Sequence, residues 1–137
     1  MIDYVATYPN DGITHRARDM VLCGHSDTAY LNNTKAHSLA GAYIFLSEDD
    51  AVPRINGPVL TISQIIKFVT SSAAEAELAG LFITAKSMAP MRQNLIEMGW
   101  PKPKYPIQTE SSTAVGVPKN IIVVRHIKSM DMRLWWI

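Results

Sequence analysis

SSAAEAELAGL, Ser71 to Leu81, sets two glutamates two residues apart at the opening of an alanine-rich apolar segment. Ser72-Ala73-Ala74-Glu75 has the spacing of a capping box, in which a serine hydroxyl accepts from the amide three residues on and the acid reaches back. Glu75 therefore has a structural task at a helix start. Glu77 has no such task. On a helical wheel it lies near Leu81 and Met88, closer to the apolar face than Glu75 does. A carboxylate on a face destined for burial costs several kcal/mol unless it is paired or binds a cation.

Leu78, Leu81, Phe82, Ala85 and Met88 recur at the helical period, which predicts a helix from Ser72 to about Met88. Pro90 is expected to break or kink it, leaving Met91 to Met98 as a second helical piece ended by Gly99. Upstream, Pro9-Asn10-Asp11-Gly12 between short β-prone runs suggests a hairpin or tight reversal. Met20 to Gly24 (MVLCG) reads as a buried strand ending at Gly24, and Ala40 to Leu46 as the next. Val59 to Val69 supplies a third strand leading into the helix. Downstream, Pro101, Pro103 and Pro106 form a stiff linker into a short strand, Ile107 to Thr109. Ser112 to Val117 and Ser129 to Ile137 are expected to be helical, and Ile121 to Val124 is ambiguous. Strands followed by alternating helices and a strand predict an α/β domain with a mixed sheet and helices packed on it.

Composition agrees with one globular domain. The chain has 137 residues, 47% apolar and 18% charged, with a net charge of +1; that charge alone advertises no nucleic-acid partner. No apolar run reaches the ~18 residues of a membrane span, so a soluble chain without a membrane partner is expected. The N-terminus MIDYVATYPNDG lacks the basic and apolar regions of a secretory signal. A single cysteine, Cys23, excludes an internal disulfide and suits a reducing compartment. After Glu110 the charges are Lys119, Arg125, Lys128 and Arg133 against Asp131 alone, a tail that could meet phosphates or form a solvated helix face.

Two further acids take positions comparable to that of Glu77. Asp27 is expected just past the end of the first core strand, and Glu110 just past the end of Ile107–Thr109. Carboxylates at adjacent strand ends and near a helix start can converge on one point and give the oxygen donors that Mg²⁺ requires. Paired divalent ions held this way run phosphoryl transfer. The same spacing fits three surface acids capping turns. Spacing alone leaves both readings open.

Five blocks then occur in order: SDTAYLN (residues 26–32), AGAYIFLS (40–47), SSAAEAELAGL (71–81), PIQTESSTAVGV (106–117) and KSMDMRLWW (128–136). Together they resemble the ribonuclease H domain of copia-type retrotransposon polyproteins, whose blocks read like SDADW, SSTEAEY, a strand ending in DN before a small-residue helix, and HIDIR. The resemblance runs from Met20 to the C-terminus; residues 1–19 resemble the connection that precedes this domain. It implies an RNase H-like fold and two-metal hydrolysis of RNA in an RNA–DNA hybrid, with Mg²⁺ or alternatively Mn²⁺. It also implies the reverse transcriptase portion of the same polyprotein as partner, and a cytoplasmic, particle-associated setting. Carried over position by position, Asp27 matches the first catalytic aspartate, Glu77 the helix glutamate, and Glu110 stands where the family has aspartate; all three are implied catalytic and metal-binding residues. Ser71 and Ser72 match polar positions that contact the nucleic-acid backbone, and Ser111 replaces an asparagine there. His126 is expected to be an exposed histidine without a catalytic role. Trp100, Trp135 and Trp136 could stack on bases, although the usual burial of aromatics assigns them to the core.

The chain departs from the family twice. Glu110 is one methylene longer than the aspartate it replaces. The family also continues into another strand and a helix carrying a fourth acid in an ADIFTK-like motif, whereas this chain ends at Ile137, and Asp131 belongs to the preceding block. The expectation is therefore a C-terminally incomplete or degenerate RNase H-like domain over residues 20–137 with impaired activity. The alternative is a non-catalytic remnant that binds nucleic acid or another protein.

Overall fold

A computed structural model describes residues 6–101 and 104–110. Strand β1 (Val21–Asn33) turns through a short 3-10 segment, Thr34–Ala36, into β2 (His37–Ser47), and β3 (Pro58–Ile65) follows. Helix α1 (Ala73–Glu97) then leads to β4 (Ile107–Thr109). The sheet order is β3-β2-β1-β4. β1 and β2, and β2 and β3, run antiparallel, while β4 lies parallel to β1. The fold is thus a four-stranded mixed sheet with one helix among the described residues. This agrees with the expected α/β class and is consistent with an RNase H-like arrangement. The segments predicted beyond Glu110 lie outside the described residues.

The first strand is longer than its apolar run. It passes through Gly24 instead of stopping there, because β2 pairs with it continuously from Val21↔Ser47 to Ala29↔Leu39. Gly24 serves packing: a Cβ there would come 2.8 Å from Met88 Sδ on α1. Even-numbered residues of β1 meet the helix, with Leu22, Ile44, Met88 and Leu95 forming one buried cluster. Strand alternation sends odd-numbered residues to the other face, where Val21, Cys23 and Phe45 form a separate cluster. Burial on both faces is the reason MVLCG reads as an unbroken apolar run. Burial also pushes the Cys23 thiol up to about 11, against the lowering effect of a hydrogen bond with Ser47, so this thiol stays protonated and inert.

Pro90 does not break the helix. α1 runs unbroken from Ala73 to Glu97 with Pro90 inside it. A mid-helix proline removes one backbone hydrogen bond and crowds the preceding turn, at a cost of ~3 kcal/mol. Here Met88 and Leu95 are buried on either side of it, and Met91 packs against the same cluster, and that packing offsets the loss. Gly99 ends the helix with φ +90°, a left-handed conformation that glycine adopts without penalty.

Of the two forms expected at Pro9–Gly12, hairpin or tight reversal, the structure has the reversal. Asp11 N–H donates to the Tyr8 carbonyl at 3.2 Å, and residues 11–20 form no strand. Asn56 instead takes the part of a pairing strand. Its side chain accepts from Arg16 N–H and donates to Arg16 O, both at 2.9 Å. An Arg18–Glu48 ion pair adds a second tie.

Candidate functional site

The helix start separates the two glutamates as the sequence predicts. Ser72 is the N-cap, in extended conformation, and its Oγ accepts from Glu75 N–H at 3.1 Å. The Glu75 carboxylate reaches back one residue further than a standard capping box: Oε2 accepts from both the amide and the hydroxyl of Ser71, each at 2.7 Å. Glu75 is 4% exposed. It belongs to the helix cap.

Glu77 lies half-buried one turn in. Its carboxyl is held above the usual carboxylate range, first by burial, then by the charges of Asp27 and Glu110. Acids on β1 and at the end of β4 therefore act electrostatically on the one carried by α1. Opposite charges would be favoured among them, and none is supplied within the trio.

Asp27 requires a correction. It is an interior residue of β1, paired across from Gly41, and not a residue past the strand's end. The sequence reading failed because it ended the strand at the last apolar residue, whereas the ladder with β2 continues through the polar stretch. Asp27 is nonetheless exposed, since Gly41 opposite has no side chain to cover it, and its Oδ1 accepts from Thr28 N–H at 2.8 Å. Glu110 does stand just past β4. Thr109 pairs with Ser26 in the parallel ladder, so Glu110 and Asp27 are the next residues on adjacent strands.

The donor set is all carboxylate oxygen, the chemistry that hard divalent cations select. Among the described residues no group of three or more His, Cys, Asp or Glu could hold a metal ion. Magnesium does not demand one: it is commonly held by one or two carboxylates, with water and substrate phosphates completing the shell. Asp27 and Glu110 are the pair that could serve such an open site, since they directly follow the Ser26–Thr109 pair on neighbouring strands.

The chain is 23% identical, over all 137 of its residues, to the retrovirus-related Pol polyprotein from transposon TNT 1-94 of Nicotiana tabacum, and it spans 10% of that polyprotein's length. This similarity supports a retroelement origin for the chain. No family model matches it, and no solved structure matches it significantly.

The remaining expected residues divide. Ser71 is exposed, but its amide and hydroxyl are both engaged by Glu75. Ser72 is committed to the cap. Trp100, which follows the helix-ending Gly99, is 46% exposed and not a core residue. Ser111, Lys119, Arg125, His126, Lys128, Asp131, Arg133, Trp135 and Trp136 lie outside the described residues. The sequence reading overlooked Ser26, Thr28 and Gly80, which join β1 to α1 beside the acids. An isolated glycine inside a helical pattern was the available signal, since it often marks a close backbone approach.

Proposed function

We propose that this chain is the ribonuclease H-like portion of a copia-type retroelement polyprotein, built to hydrolyse the RNA strand of an RNA–DNA hybrid. The supporting observation is that Glu77, held above its usual range first by burial, also feels the charges of Asp27 and Glu110, which come from two other elements. Asp27 and Glu110 would hold a divalent cation, with Glu77 contributing through its charge. The chemistry a divalent ion supplies in such sites is activation of water and stabilisation of the leaving oxygen. The protein's part is to place exposed Asp27 where substrate phosphate can reach it and to keep Glu77 partly desolvated. Hybrid selectivity would come from duplex shape and 2′-hydroxyl contacts. The reverse transcriptase portion of the same polyprotein, in a cytoplasmic particle, is the partner this reading implies.

A second reading, a nucleic-acid-binding module without catalysis, is favoured by the open arrangement of the acids and by Glu110 in place of aspartate. One assay separates the two: incubation of the purified chain with labelled RNA–DNA hybrid, with and without Mg²⁺. Slow metal-dependent cleavage that Asp27→Asn abolishes supports the nuclease. Hybrid binding without cleavage supports the binding module. Neither binding nor cleavage overturns both.

A further inference from the structure

Thr28 touches both halves of the carboxylate site. Its backbone N–H donates to Asp27 Oδ1 at 2.8 Å. Its hydroxyl lies in a notch that α1 leaves at Gly80: a Cβ at residue 80 would overlap Thr28 Oγ1 and would stand 3.6 Å from both the Asp27 carbonyl oxygen and Ser26 Oγ. Thr28 Oγ1 and Ser26 Oγ are buried there, and neither has a hydrogen-bond partner among the described residues. A hydroxyl without a partner contributes shape rather than bonding at this contact.

Gly80 is three residues beyond Glu77, on the same side of the helix. Glycine within a helix costs about 1 kcal/mol relative to alanine. Its presence is explained by the contact: α1 can approach β1 at this point only if residue 80 has no side chain or residue 28 has a smaller one. The helix that carries Glu77 and the strand that carries Asp27 meet through this pair.

We propose that Thr28 is a positioning residue: seated in the Gly80 notch, its side chain sets the separation of α1 from β1 and with it that of Glu77 from Asp27. The functional meaning of this separation rests on the carboxylate site proposed above; the packing relationship does not.

The test uses the purified chain as wild type, Gly80→Ala, Thr28→Ala, Thr28→Val and the double variant Thr28→Ala/Gly80→Ala. Thermal melting is read alongside the broadening of backbone amide signals by added Mn²⁺ alone. Gly80→Ala is expected to lower the melting temperature, shift the Thr28 amide resonance and weaken Mn²⁺ binding about tenfold, a modest fraction of what ~1 Å of misplacement can cost. The double variant is expected to recover all three, with Mn²⁺ affinity within about threefold of wild type, since neighbouring substitutions in contact are non-additive. Thr28→Val, which keeps the shape and loses only an unpartnered hydroxyl, is expected to behave as wild type.

The proposal is overturned if Gly80→Ala leaves the Thr28 amide and Mn²⁺ binding unchanged, if the double variant is simply additive, or if Thr28→Val loses as much as Gly80→Ala. A wild-type chain that binds no Mn²⁺ defeats the carboxylate-site reading; melting and the Thr28 amide shift then still decide the positioning role. A Gly80→Ala chain that does not fold, beside a double variant that does, supports it.

Discussion

Asp27 and Glu110 occupy consecutive positions on parallel neighbours: Ser26 pairs with Thr109, and the two acids are the residues that follow. In a parallel ladder such residues stand side by side, about 4.8 Å apart across the strands. The ladder, not proximity in sequence, brings the second acid to the first.

Glu110→Asp should therefore strengthen the site. An extra methylene displaces a carboxylate by ~1.5 Å if the backbone is fixed, whereas metal sites accept only about ±0.2 Å in ligand distance. Cleavage of hybrid by the chain is expected to be slight in Mg²⁺ and to rise roughly tenfold or more in the aspartate variant. Initial rates on labelled hybrid measure this. Brisk cleavage by the unaltered chain, with no gain on substitution, would contradict it.

The raised Glu77 carboxyl has a pH consequence of definite sign. Between its ordinary unfolded value and its raised folded value, the folded chain binds more protons than the unfolded chain. Stability must then fall as pH rises through that window. Above that window the ionised Glu77 is a net cost, and Glu77→Gln should melt higher than wild type there, with the advantage vanishing at pH below the window. Parallel melting curves across pH check this; an advantage that grows on acidification would show the sign to be wrong.

At the helix start, Ser72→Ala removes the N-cap acceptor and should cost about 1 kcal/mol. Glu75→Ala should cost more, roughly 1.5–3 kcal/mol, because it removes the charged acceptor of hydrogen bonds from the Ser71 amide and hydroxyl. Denaturant unfolding of the two variants gives the order directly. A larger loss from Ser72→Ala would mean that the Glu75 arm of the cap is dispensable.

Core truncation offers a separate check on the unbroken helix. Met88 is wholly buried and meets β1 at Gly24. Met88→Ala should cost 2–5 kcal/mol, in the range for large-to-small core changes. Leu95→Ala, beyond Pro90 in the same cluster, should cost a similar amount; a small loss there would mean that α1 is broken near Pro90 with its end detached.

Among the described residues β3 is an edge strand without a second partner, which predicts self-association. β3 has eight residues, PVLTISQI, without a charge, and Val59, Leu60 and Ile65 are 46%, 38% and 45% exposed. Natural edge strands are usually shortened, charged or covered to prevent such pairing. Thr61→Lys should reduce concentration-dependent light scattering of the chain. Equal scattering by both proteins would exonerate the edge.

Local chemistry in the sequence was sufficient for the helix cap at Ser72, the part of Glu75 in it, the buried face of α1 and the short strand Ile107–Thr109. Each depends on spacing within one turn or one short strand, where side-chain period and capping residues act directly. What lay beyond local reach was decided by partners distant in the chain. β2 extends β1 past Gly24 and so places Asp27 inside a strand; the cluster around Met88 and Leu95 holds α1 together through Pro90; the parallel pairing of β4 sets Glu110 beside Asp27; and the Gly80 notch admits Thr28. Strand pairing and packing draw their free energy from contacts between separate segments, so only the tertiary structure could settle them.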